Sequence, residues 1–91
     1  MRLETQIQIP DTLFVQEIDD EMVILDTASE EYFGLDTMGA VMWQELQKSG
    51  SLQQVYDVIS AAYEVDTVRL ENDIIAFAEV LLDAGLLKIK S

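Results

Sequence analysis

The stretch Glu31-Tyr32-Phe33-Gly34-Leu35-Asp36-Thr37-Met38-Gly39-Ala40-Val41-Met42-Trp43 decides the fold. Glu31 to Leu35 (EYFGL) reads as a short strand of β-forming residues. Then the period changes. Met38, Val41, Met42, Trp43 and Leu46 recur at helical spacing through Gln47. Asp36 or Thr37 supplies the N-cap, and Ser49-Gly50 ends the helix. Sheet lies before this junction and helix after it.

Working upstream, Met22 to Leu25 (MVIL) and Leu13 to Ile18 (LFVQEI) are two further β-rich runs. The acidic run Asp19-Asp20-Glu21 turns the chain between them, and Asp26-Thr27-Ala28-Ser29 turns it again before Glu31. Three strands joined by short polar turns make an antiparallel meander, which needs something to pack on. Pro10-Asp11 reads as a turn. Residues 1–10, in which Leu3 to Ile9 alternate only weakly, read as a loose N-terminal arm.

Working downstream, Ser51 followed by Gln54 is a capping-box signature. It opens a second helix with Leu52, Val55, Val58, Ile59 and Ala62 as its apolar stripe. Asp66 or Thr67 caps a third, longer helix, Gly85 sits where its C-terminal cap belongs, and Leu86 to Lys90 is a short extended tail. The order is β-β-β-α-α-α, an α+β domain over residues 1–91, compatible with a winged helix-turn-helix arrangement. Leu25, Leu35, Trp43 and Leu46 are expected in the core, and Trp43 and Tyr32 read as packing anchors rather than a cofactor cage.

Composition narrows the chemistry. The chain has 91 residues, 49% of them apolar, enough for one small domain with a real core. It has no Cys and no His. A thiol nucleophile, a disulfide scaffold, a Cys/His zinc site and a His-based triad are therefore excluded. No Gly-rich phosphate loop and no G-x-S-x-G occurs, and the acidic turns form no calcium loop, so no catalytic residue, metal or cofactor is expected. Five Lys plus Arg against 18 Asp plus Glu gives a net charge of −13. The third helix, where a DNA-reading helix would sit, holds Arg69 against Glu71, Asp73, Glu79 and Asp83, so no nucleic-acid partner is expected. The N-terminus lacks an apolar signal core, and no run approaches the roughly 20 apolar residues of a membrane span. A cytoplasmic binding module without a membrane partner is the expectation.

Two features bear on binding. On the third helix, Leu70, Ile74, Phe77, Leu81 and Ala84 share one face, extended by Ile75, Ala78 and Leu82 on one side and by Ala76 and Val80 on the other. The apolar arc exceeds half the circumference. Either the helix is central and largely buried, or one flank lines a groove for a partner; the sequence does not say which flank. The strand Glu31–Leu35, last in the meander, lies at a sheet edge and offers unpaired backbone groups to an added peptide strand. Gly34 within it either permits close approach of another backbone or marks a bend before the helix.

The pattern resembles the PqqD-like family. The residues that carry the resemblance are Val23-Ile24-Leu25-Asp26, the Tyr-bearing third strand, Leu35-Asp36-Thr37-Met38-Gly39 with Trp43 four residues on, Asp73 and Phe77 one turn apart, and the Leu81-to-Leu86 ending of the third helix. Their order and spacing cover roughly residues 13 to 90. The resemblance implies a RiPP recognition element, a small domain that binds the leader segment of a ribosomally made precursor peptide. In that family the leader adds to the third strand of the meander and lies against the third helix.

Carried over, the backbone of Glu31, Tyr32, Phe33 and Gly34 pairs with the leader. Asp73, Ala76, Phe77, Val80 and Ala84 form the helix side of the groove, with Leu81 as its floor. Core packing is the competing role for Phe77 and Leu81. The implied partners are the precursor peptide and a leader peptidase or other modifying enzyme. The stretch Glu30 to Leu35 and the long third helix look more like the lasso-peptide type than like PqqD itself, which presents its precursor to a radical-SAM enzyme. A general protein-interaction subunit is the alternative of a different class.

Overall fold

The computed structural model describes residues 1–19 and 21–90. Five strands and three helices follow in the order β1 (Ile7–Gln8), β2 (Leu13–Ile18), β3 (Glu21–Asp26), β4 (Glu31–Leu35), α1 (Thr37–Ser49), α2 (Leu52–Ala62), α3 (Thr67–Asp83) and β5 (Lys88–Ile89). The expected α+β order is present, with a three-stranded antiparallel meander β2-β3-β4 followed by three helices. Ile18 pairs with Glu21 and Asp26 with Glu31, so each connection is short. Of the acidic run between β2 and β3, Asp19 has a positive φ of 57°, and Asp20 lies outside the described residues.

Side-chain alternation gives the sheet two faces. Met22 and Ile24 of β3 and Leu35 of β4 are buried against the helices. Val23 and Leu25 point the other way and are only half-buried. Leu25 is thus not a core residue, contrary to the expectation above. The run MVIL is apolar throughout, so the sequence carries no alternation from which its inward face could be read. The registered row Phe14, Leu25 and Tyr32 lies on the outer face, where Phe14 and Tyr32 are exposed.

The helices are set by local capping. Asp36 is the α1 N-cap, and its carboxylate accepts from the Gly39 amide at 2.7 Å. Gly50 closes α1 in the left-handed conformation at φ 64°. The Ser51 hydroxyl accepts from the Gln54 amide at 3.2 Å and starts α2. Asp66 caps α3 through the Val68 and Arg69 amides. At the far end Leu86 N–H donates to Leu81 C=O and Gly85 N–H to Leu82 C=O, a Schellman closure with Gly85 at φ 79°. It turns the chain back toward the N-terminus.

That reversal pins the N-terminal segment. β1 pairs antiparallel with β5, Ile7 opposite Ile89. Ile7 N–H also donates to Gly50 C=O at 3.0 Å. Leu3 and Ile7 are buried in the core, so the segment is tied down rather than loose. The sequence reading missed this because the pairing joins opposite ends of the chain. The core is one cluster in which Trp43, Leu46, Leu52, Val55, Ile59, Ile74, Leu81 and Leu87 are almost wholly buried. In the α2 stripe Val58 is half-buried and Ala62 is exposed. Among the described residues, no helix is long and apolar enough to cross a membrane.

Candidate functional site

β4 is the end strand of its sheet, with β3 on one side only. The backbone N–H and C=O groups on its other side are free of sheet partners, which makes it a template for an added strand. Leu35 is buried and Phe33 half-buried toward the helices, while Tyr32 and Gly34 face outward. Tyr32 is 75% exposed, so it is not the packing anchor the sequence suggested. A Cβ built on Gly34 meets nothing within 4 Å, so the surface over this residue is open. Its φ is not positive, so Gly34 is not needed for a left-handed turn.

α3 runs beside this edge. Its faces divide clearly: Leu70, Ile74, Ala78 and Leu81 are buried, Phe77 is half-buried, and Asp73, Ala76, Val80 and Ala84 are exposed. At 100° per residue the last four and Phe77 lie along one flank. Two observations bring that flank near β4. Ala84 and Leu86 share a cleft with Glu31, Tyr32 and Phe33, closed by Asp26 and Ser29 of the preceding turn. Further along, a Cβ on Gly39 would lie 3.4 Å from Phe77 Cε1 and 3.5 Å from Leu35 Cβ. Phe77 therefore packs at the strand-to-helix junction where β4 ends. The wide apolar arc of α3 serves both alternatives raised by the sequence: one part is core, and one flank is free beside β4.

The expected site residues do not all gather in one place. Glu31, Tyr32, Phe33 and Ala84 line one cleft. Ala76, Phe77 and Val80 continue the flank, and Val80 leaves 52% of its surface exposed. Asp73 lies beyond them in a second cleft, with Met38, Val65, Arg69 and Leu70. Leu81 is 0% exposed, so it underlies the groove as core rather than lining it. Leu86, Ser29 and Asp26 are additions the sequence did not reveal. Their approach depends on where the turn after α3 meets the β3–β4 hairpin, and no local pattern encodes that.

The electrostatics are acidic and mostly solvated. Asp26 is held below the ordinary carboxylate value of 3.8, chiefly by the hydrogen bond from the Ala28 amide, with help from the Ser29 and Thr12 side chains. Glu31 pairs opposite it in the β3–β4 register and Glu30 precedes Glu31, so the cleft at the start of β4 has an acidic mouth. Asp73 faces Arg69 at 3.8 Å one turn back on α3, both well exposed, an arrangement of small energetic weight. Among the described residues, no group of three or more acidic residues is placed to hold a metal ion.

An open sheet edge set beside the free apolar flank of a helix, in a winged-helix-like α+β frame, defines a domain able to take an extended peptide as an extra strand. The model of the family Coenzyme PQQ synthesis protein D (PqqD) matches residues 21–87, and the chain belongs to this family. Two solved structures are similar over nearly their whole length. One is TbiB1 in complex with the TbiA(beta) leader peptide, 33% identical, with a TM-score of 0.84, covering 92% of this chain and 98% of that one. The other is a lasso peptide synthetase B1 complexed with the leader peptide, 29% identical, with a TM-score of 0.81, covering 91% and 98%. No curated protein sequence matches the chain.

Proposed function

We propose that this protein binds the leader segment of a ribosomally synthesised precursor peptide as a strand added to β4, against the Phe77–Val80–Ala84 flank of α3. The observation that carries the proposal is the pairing of an unpartnered edge with a free apolar flank, joined at Ala84 and Phe77. Backbone bonds from Glu31 to Gly34 supply affinity that tolerates sequence variation. Side chains that alternate toward α3 meet Phe33, Phe77 and Ala84 and supply selectivity. The two similar structures, each a complex with a leader peptide, support this choice of ligand.

The protein is an accessory binder rather than a catalyst, and it hands the captured precursor to a separate enzyme. A leader peptidase of a lasso-peptide system is the favoured recipient, in line with the lasso assignment of a similar structure. The test is a titration of the ¹⁵N-labelled protein with the leader peptide of the precursor encoded nearest its gene. Saturable binding with amide shifts concentrated in residues 30–35 and 70–85 is expected. Shifts confined to the outer sheet face around Phe14, or no binding by that peptide, would sink strand addition at β4.

A further inference from the structure

One face of the sheet has no cover. A strand with one solvated face ordinarily alternates apolar and polar residues, whereas a continuous apolar run belongs to a strand buried on both faces. β3 carries the continuous run Met22-Val23-Ile24-Leu25, yet only Met22 and Ile24 of it are buried. On the inner side of the neighbouring strands, Leu13, Val15 and Phe33 pack against the core. On the outer side, Phe14 and Ile18 of β2 are 60% and 52% exposed. The register sets Phe14, Leu25 and Tyr32 in one row across all three strands, with Val23 in the next outward row and Ile18 in the one after. Together they form an apolar patch in water. At the β2–β3 hairpin the patch ends in acid, with Glu21 opposite Ile18. Glu17, Asp19 and Glu21 line one cleft there with Met22, Ala40 and Gln44, and among the described residues no basic side chain joins them. Residues 11–36 hold nine Asp and Glu and no Lys or Arg.

We infer that this outer face is the docking surface for the enzyme that receives the precursor, which meets it with an apolar area bordered by Lys and Arg. The inference rests on the function proposed above and adds to it a second interaction surface. Charge selects the occupant. A second copy of the chain would set one acidic border against another, and like charges brought together oppose association. An anionic lipid surface is repelled for the same reason. A basic protein gains the attraction that both of these lack. Exposed Phe14 supplies the kind of aromatic side chain that anchors an interface. Position supports the same occupant. β2 lies two strands away from β4, about 10 Å at the ordinary strand spacing. A protein seated on Phe14 and Ile18 therefore leaves the open edge of β4 free, so peptide and enzyme are held at the same time.

The experiment measures two affinities for each variant. One is for the purified leader peptidase encoded nearest the gene, by biolayer interferometry. The other is for the leader of the precursor encoded nearest the gene, by fluorescence anisotropy. The test variant is Phe14→Ser, and the control is Val68→Ser, a comparably exposed apolar residue on α3. Phe14→Ser should weaken peptidase binding about tenfold or more and leave leader binding within about twofold. Val68→Ser should leave both within about twofold. Peptidase binding should weaken as NaCl rises from about 50 mM to about 0.5 M, and Glu17→Gln with Glu21→Gln should flatten that dependence. Should Phe14→Ser fail to fold, Ile18→Ser takes its place with the same expected loss. If the folded variant binds the peptidase as well as the unaltered protein does, or if salt leaves that binding unchanged, the docking surface is wrong. If the unaltered protein binds the leader but not the peptidase, the docking surface falls and strand addition survives. If it binds the peptidase through Phe14 but not the leader, strand addition falls and the docking surface survives. A dimer of the protein alone in sedimentation, broken by Phe14→Ser, would show that a second copy covers the face and overturn the inference.

Discussion

Two residues with similar backbone angles show how unevenly strain is distributed. Glu30 has φ 62° and Gly50 has φ 64°. At Gly50 the conformation is free of Cβ strain, and the space demands glycine as well, because a Cβ would sit 3.0 Å from the Ile7 carbonyl oxygen. Gly50→Ala should therefore cost about 1–2 kcal/mol, a large share of what a small domain possesses. The single tryptophan, Trp43, is wholly buried, so its emission reports the urea midpoint directly. At Glu30 the strain is carried by an ordinary residue in the β3–β4 turn. Glu30→Gly should raise stability by about 0.5–1 kcal/mol, the relief of a left-handed Cβ less the added freedom of the unfolded chain. An unchanged midpoint would mean that the Glu30 side chain compensates for its own strain. Trp43 itself has an orphan indole N–H among the described residues, a cost the core tolerates for the volume the ring fills.

At the scale of elements, β4 and α3 each do two jobs. One side of β4 closes the sheet through the register Ile24 to Phe33 and Met22 to Leu35, and the other side is open. α3 buries Ile74 and Leu81 and leaves Val80 and Ala84 free. At Gly39 the Asp36 cap leaves little room for a Cβ, at 3.1 Å, while Phe77 and Leu35 stand at ordinary contact distance from it. Gly34→Pro tests the open edge: it removes one backbone donor at a position with no positive-φ requirement and an empty Cβ direction. Leader affinity should fall by about fivefold to tenfold, the worth of one backbone hydrogen bond, while circular dichroism stays native. A folded variant with unchanged affinity would argue that the peptide binds elsewhere.

The whole molecule is a thin assembly, 36 × 35 × 19 Å, with sheet and helices sharing one core. Its net charge is −13. Among the described residues, the ion pairs are Lys48–Glu45 and Arg69–Asp73, both at 3.5 Å or longer and each within one helix turn. Such pairs offset little of the mutual repulsion. The urea midpoint should therefore rise between about 20 mM and about 0.5 M NaCl, as screening relieves the folded state more than the expanded one. A midpoint that falls with salt would mean that local ion pairs outweigh the global repulsion. The same field, to which Asp26, Glu30 and Glu31 contribute at the start of β4, favours a leader with basic residues at that end.

Read alone, the sequence determined the elements and their order. The caps Asp36, Ser51 and Asp66 and the closing glycines Gly50 and Gly85 all act on amides and carbonyls within about five residues, and signals of that range are written where they act. The motif around Leu35-Asp36-Thr37-Met38-Gly39 was likewise legible as a family pattern. Tertiary structure decided what depends on contacts between distant parts of the chain. It chose the inward residues of the uniformly apolar run Met22–Leu25, and it tied Ile7 to Ile89 at the two ends of the chain. It also sorted the broad apolar arc of α3 into a buried face and a free flank beside β4. A side chain's hydrophobicity states only that burial is favourable, while its burial depends on which neighbouring element comes close enough to cover it.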